Sequence, residues 1–129
     1  MSRERRRISS GGPWEAVYGY SRAVVVGDEC FVSGTTDAGP DGESQHPGDA
    51  AGQARASFAI AERALREAGF TLDDVVRTRM YLTDVTDADA VATVHGDLFG
   101  EIRPAATLVV VAGLMRDSLL VEIEVDARR

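Results

Sequence analysis

With 129 residues, 44% of them hydrophobic, the chain can build one core and is too short for two. Its formal net charge of -7 repels polyanions and argues against a nucleic-acid partner. A single cysteine, Cys30, excludes an internal disulfide, and two isolated histidines leave no Cys/His cluster for structural zinc.

No apolar run approaches the ~20 residues of a membrane span. No apolar signal core follows the charged residues 1–7. The sequence holds no P-loop and no dinucleotide glycine fingerprint. A soluble cytoplasmic protein is expected, with no metal, no cofactor and no membrane partner.

Residues 1–12 end in Ser9-Ser10-Gly11-Gly12 and read as a flexible tail ahead of one domain over 13–129. The basic run Arg3–Arg7 reads as a solvated terminus, because no aromatics interleave with it. Residues 17–26 and 29–34 are apolar runs joined by Gly27-Asp28, which predicts a hairpin. Residues 35–49 carry Gly39-Pro40-Asp41-Gly42 and Pro47-Gly48 and form a loop. Ala51, Ala54, Phe58, Ala61, Leu65 and Ala68 then recur at helical spacing, between an Asp49 N-cap and a Gly69 terminator.

Residues 75–82 alternate as a strand, with Val76, Thr78, Met80 and Leu82 on one side and Val75, Arg77, Arg79 and Tyr81 on the other. Thr86-Asp87-Ala88-Asp89 resembles a capping box. It opens a second helix with Val91, Val94 and Leu98 on one face and its end at Gly100. Residues 105–112 are apolar on both faces, as a central strand is. The last strand, 119–125, alternates Leu119, Val121, Ile123 and Val125 against Leu120, Glu122 and Glu124. These elements make a mixed sheet with two helices on one face, whose other face needs cover from an oligomer.

Glu122 and Glu124 share a strand face. They read either as acid–base groups or as a solvent-facing polar row. Tyr20 and Arg22 are expected on one face of the first strand, where an aromatic beside a guanidinium can hold a planar acid. Ser33-Gly34-Thr35-Thr36 ends a strand with hydroxyls and reads as a turn or a carboxylate cradle. His46 and His95 accompany no readable nucleophile motif, and Cys30 reads as a small core residue.

The combination of Gly19-Tyr20-Ser21-Arg22, Phe31-Val32-Ser33-Gly34-Thr35-Thr36, the helix with Gln53 and Phe58, Asp74 through Asp84, Arg103-Pro104-Ala105-Ala106-Thr107 and Val121-Glu122-Ile123-Glu124-Val125 resembles the RidA family (YjgF/YER057c/UK114, with the older label endoribonuclease L-PSP). The resemblance implies a chorismate-mutase-like α+β fold with a six-stranded sheet, a homotrimer, and small-molecule clefts between protomers. In the enamine/imine deaminases of that family an arginine in a Pro-Ala-Arg-Ser/Thr motif clamps the substrate carboxylate, and a glutamate on the last strand positions the attacking water.

By resemblance, Tyr20 and Ser33 shape the pocket, Thr107 follows the arginine position, and Glu122 is the acid–base group. The arginine position itself is Ala106. Arg22, Arg79 and Arg103 are the candidates for a relocated guanidinium. The implied functions are imine or enamine hydrolysis, or a related hydration or tautomerisation, with Glu122, Thr107 and Ser33 catalytic. The alternative is a non-catalytic small-metabolite-binding protein. RNA cleavage rests on the older label alone, and the acidic charge and lack of a paired histidine acid and base argue against it.

Overall fold

The computed structural model describes residues 4–129. In chain order the elements are β1 (Arg5–Ile8), α1 (Glu15–Tyr18), β2 (Ala23–Val26), β3 (Glu29–Thr35), α2 (Ala50–Glu67), β4 (Val75–Leu82), α3 (Ala88–Phe99), β5 (Ala105–Val110) and β6 (Val121–Arg128). The strands form one mixed sheet in the order β1-β2-β3-β6-β4-β5. Among the described residues only β4 and β5 run parallel, with α3 as their crossover.

Strand alternation divides the sheet into two unlike faces. Val121, Ile123, Val125 and Ala127 of β6 are buried, beside Val32 of β3 and Thr78, Met80 and Leu82 of β4. That face carries α2 and α3. Ala54, Phe58, Ala61 and Leu65 line the buried stripe of α2, and Phe58 meets Phe99 of α3 edge to face at 5.5 Å. Gln53, fully buried, ties the ends of the core together. Its amide nitrogen donates to His46 O (3.1 Å) and Ser118 O (2.9 Å), and its oxygen accepts from Leu120 N (2.8 Å). The opposite face carries Glu122, Glu124 and Asp126 in a row, with Arg77, Arg79 and Tyr81 beside them on β4.

Asp49 caps α2 by accepting from Gly52 N, and Gly69 follows it at φ 90. Arg6 and Arg129 finish that helix end: Arg6 donates to Ala68 O (3.4 Å) and Arg129 to Gly69 O (2.6 Å). Guanidinium groups belong at the carbonyl end of a helix, where the dipole is negative.

Several expectations are corrected. Within the expected flexible tail, Arg5–Ile8 is a strand paired antiparallel to β2. Its arginines stay exposed, so the edge pairs while only Ile8 enters the core. The first strand does not begin at 17: Glu15–Tyr18 is a helical turn, closed by Gly19 at φ 77, and pairing begins at Ala23. A bulge between Val75 and Arg77 reverses the expected sides of the first two residues of β4, so that Val75 is 3% and Val76 51% exposed. The Thr86–Asp89 capping box does not form; Asp84 instead accepts from Thr86, and the box is at Thr71 and Asp74. Finally, β5 is an edge strand rather than a central one, and all its residues except Leu108 are exposed.

No helix among the described residues is long and apolar enough to cross a membrane.

Candidate active site

The irregular ladder between Val32 and Thr35 of β3 shapes the site. It releases Ser33 and Gly34 from regular pairing beside the position where Glu122 projects from β6. Ser33 N still donates to Arg22 O (2.9 Å), and the Ser33 hydroxyl donates to Ser21 O (2.6 Å). This ties the end of β3 to the connector that carries Tyr20 and Arg22.

A buried ion pair holds that connector. Arg22 Nη2 lies 3.5 Å from Glu15 Oε2, with the two side chains 8% and 6% exposed. Arg22 Nη1 donates to Gly34 O (2.6 Å) and Thr35 Oγ1 (3.0 Å), and Nε to Ser10 Oγ (3.3 Å). Glu15 in turn accepts from Ser9 Oγ (3.0 Å) and from the backbone of Ser10 (3.3 Å) and Gly12 (3.1 Å). Burial pushes the Glu15 carboxyl up, but the bonds from Ser10, Ser9 and Gly12 and the Arg22 charge outweigh it, and the net shift is downward. The pair stitches residues 9–12, α1 and the end of β3 into one wall.

That wall bounds a cleft of about 740 Å³, within the range of small-ligand sites. Residues 10–14, Tyr18, Tyr20, Arg22, Ser33–Thr36, Ala38–Pro40, Ile60, Arg63, Met115 and Glu122 line it. Glu122 is the only carboxylate among the described residues that line it, and the side chain is half-buried. Burial and the neighbouring Glu124 push the Glu122 carboxyl above its ordinary value, while Arg22 pulls it down. A carboxyl whose proton affinity is raised in this way is suited to acid–base work. A smaller depression of about 330 Å³ shares Gly34 and Glu122 with the cleft and adds Tyr81 and Glu124.

Tyr20, Arg22, Ser33 and Glu122 are thus brought together. Tyr20 and Arg22 meet off the strand, with the guanidinium carbon 5.6 Å from the ring centre. Arg103, Ala106 and Thr107 do not line the cleft of their own chain. Ala106 and Thr107 lie on β5 at the far edge of the sheet, opposite Thr78 and Arg79, and Arg103 precedes that strand at φ 56. Arg79 turns to Asp126 (3.4 Å). Arg22 faces the cleft but its donors are committed to protein acceptors.

Sequence reasoning missed Glu15, Trp14, Arg63, Met115 and Tyr81. Only Tyr81 carried a readable signal, its alternation on 75–82. The remaining singled-out groups serve elsewhere. His46 Nδ1 is 2.9 Å from buried Asp37 Oδ2, and His95 Nε2 is 2.7 Å from Thr78 Oγ1. Cys30 is buried, which pushes its thiol up to about 11. Among the described residues no group of three or more His, Cys, Asp or Glu is placed to hold a metal ion.

The family model described as Endoribonuclease L-PSP matches residues 13–129. The chain belongs to this family. An uncharacterised protein of Streptomyces coelicolor, SCO2049, is 42% identical over 96% of this chain and 92% of its own. The 2-iminobutanoate/2-iminopropanoate deaminase of Rattus norvegicus is 30% identical over 95% of this chain and 88% of its own. The crystal structure of Rv2704 from Mycobacterium tuberculosis, a member of the YjgF/YER057c/UK114 family, superposes with a TM-score of 0.88 at 44% identity, covering 98% of this chain and all of that one. The six-stranded mixed sheet with helices is therefore the fold of the L-PSP family, and that family includes proteins named as imine deaminases.

Proposed function

We propose that this L-PSP family protein hydrolyses small imines to a carbonyl compound and ammonia, with Glu122 as the acid–base group. One observation carries the reading: the only carboxylate among the described residues that line the cleft is half-buried, unpaired with any cation in the described residues, and raised in proton affinity by burial. The deaminase name of the rat relative supports the same reaction class. Enamines enter the same route after tautomerisation to imines.

The chemistry balances with water as the only co-reactant. Glu122 delivers a proton to the imine nitrogen, and water adds to the carbon of the C=N bond. A proton from that water returns to the carboxylate and passes to nitrogen. The C–N bond then breaks, ammonia leaves, the C=O bond forms, and the proton of the hydroxyl returns to Glu122. Ser33, fixed on Ser21 O, keeps a lone pair for a substrate donor at the cleft wall.

The proposal includes a homotrimer. The apolar, exposed β5 and the uncovered sheet face support it, because a second copy laid against them would remove Val109, Val110 and Val76 from water. In that assembly β5 of one protomer, with Thr107 and Ala106, closes the cleft of the next. Ammonia release from freshly generated 2-iminobutanoate tests the reaction, and no rate above buffer refutes it. The second reading, a metabolite-binding trimer without turnover, is favoured by Ala106, which brings no guanidinium to β5. It predicts stabilisation by ligand without product.

A further inference from the structure

The carboxylate next to Glu122 on its own strand face has a fixed partner. Glu122 and Glu124 lie two residues apart on β6, so they project from the same face about 7 Å apart along the strand. The ladder sets Tyr81 opposite Glu122 and Arg79 opposite Glu124. The Tyr81 hydroxyl reaches diagonally across it and donates to Glu124 Oε1. Glu122, Glu124 and Tyr81 share the wall of the smaller depression with Gly34, and Glu122 and Gly34 also line the main cleft.

We infer that Glu124 is a positioning residue for the proposed hydrolysis: tethered by the Tyr81 hydroxyl, it sets its carboxylate beside Glu122 on the same strand face and tunes Glu122 to meet the imine as an acid. This rests on the imine reading and deepens it. The charged and titratable groups around Glu122 are Glu124 from its own strand, Tyr81 and Arg79 from β4, Arg22 and Tyr20 from the connector before β2, and, across the cleft, Tyr18 of α1 and Arg63 of α2. β3 contributes uncharged Ser33, Gly34 and Thr35 to the cleft wall. Arg79 is drawn to Asp126, and Arg22 is engaged by Glu15, Gly34 and Thr35. Neither cation is left to neutralise Glu124 at close range. The result is a tethered carboxylate beside a half-buried one, an arrangement that raises the proton affinity of the half-buried group.

In the first step the Glu122 O–H bond breaks and an N–H bond forms on the imine. The iminium so made accepts water at carbon, and the proton that water sheds returns to Glu122. No oxidation state changes and no further reactant is needed. Without Tyr81 the Glu124 carboxylate loses its hydrogen-bond tether, and without Glu124 the Glu122 carboxyl loses the negative neighbour on its own strand face.

The test follows the Glu122 carboxyl by carbon-13 NMR titration of the full chain, alongside the pH profile of kcat/KM on 2-iminobutanoate, in wild type, Glu124→Gln and Tyr81→Phe. Removing a negative neighbour lowers the proton affinity of Glu122. The Glu122 midpoint therefore moves to lower pH in Glu124→Gln, and by less in Tyr81→Phe. The alkaline limb of the profile moves with it, costing about threefold or more in kcat/KM at pH 8 for Glu124→Gln. A Glu122 midpoint that is the same in all three proteins overturns the inference, whether or not ammonia is released. So does an alkaline limb that stays in place while the midpoint moves. A wild type that releases no ammonia refutes the imine reading separately.

Discussion

The Glu122 carboxylate lies against the bare Cα of Gly34, so that a β-carbon at position 34 would fall inside van der Waals contact with Oε2. Glycine is required here by the close approach of a side chain, since the Gly34 backbone is not among those at positive φ. Gly34→Ala is expected to push the carboxylate out of the cleft. The obstacle is the tip of a flexible side chain, so the stability cost is small, within about 1 kcal/mol. Steady-state kinetics should show kcat/KM reduced by about tenfold or more. Unaltered kinetics would place the reacting group elsewhere.

The Glu15–Arg22 pair holds the cleft wall from behind. Arg22→Ala leaves Glu15 buried without its cation and is expected to cost about 3 kcal/mol in urea unfolding. Glu15 also makes stability depend on acid. Its folded proton affinity is below that of the unfolded chain, so its contribution is fully present above the ordinary carboxylate value and is lost as pH falls through the lower, folded value. The urea midpoint of wild type should therefore fall more steeply than that of Glu15→Gln below about pH 4.5. Parallel curves for the two proteins would contradict this role.

The elements that local chemistry determines were legible in the sequence. The helix between Asp49 and Gly69 and the strand over 75–82 both stand where cap, terminator and alternation put them. What depends on distant partners was not. Residues 17–26 form one apolar run, yet Gly19 at positive φ splits it into a turn of helix and a strand, and the pairing of Ser33 with Ser21 and Arg22 decides where the strand begins. Residues 105–110 are apolar on both sides, a pattern shared by a strand inside a sheet and a strand awaiting a second copy, and β5 is at the edge. At the site, alternation placed Glu122 and Glu124 on one face. Glu15 had no signal, because its role comes from serine and glycine groups folding back on it across residues 9–12.

The exposed β5 carries a prediction about assembly. Light scattering behind size exclusion should give three times the 13.8 kDa chain mass. Val109→Lys, which places a charge on the exposed edge, should shift that mass toward the monomer and reduce imine turnover with it. A wild-type monomer at micromolar concentration would refute the interface cleft.

Ala106 carries a prediction about specificity. Wild type is expected to discriminate little between 2-iminobutanoate and the corresponding imine ester, because no guanidinium on β5 grips the carboxylate. Ala106→Arg, at an exposed position where the longer side chain has room, should raise kcat/KM for the acid over the ester by about tenfold. Equal ratios in both proteins would show that this position does not reach the substrate.

The central claim is that the Glu122 proton is the one transferred. Glu122→Gln keeps shape and hydrogen-bonding capacity while removing ionisation. Because burial raises the folded proton affinity of Glu122, ionising it costs stability as pH rises past the unfolded value, and the amide should leave Tm at pH 7 unchanged or higher. The decisive measurement is ammonia release from 2-iminobutanoate by wild type and Glu122→Gln at matched protein concentration. A loss of about 100-fold or more with Tm maintained is the expected result. A Glu122→Gln protein that releases ammonia as fast as wild type would contradict the account.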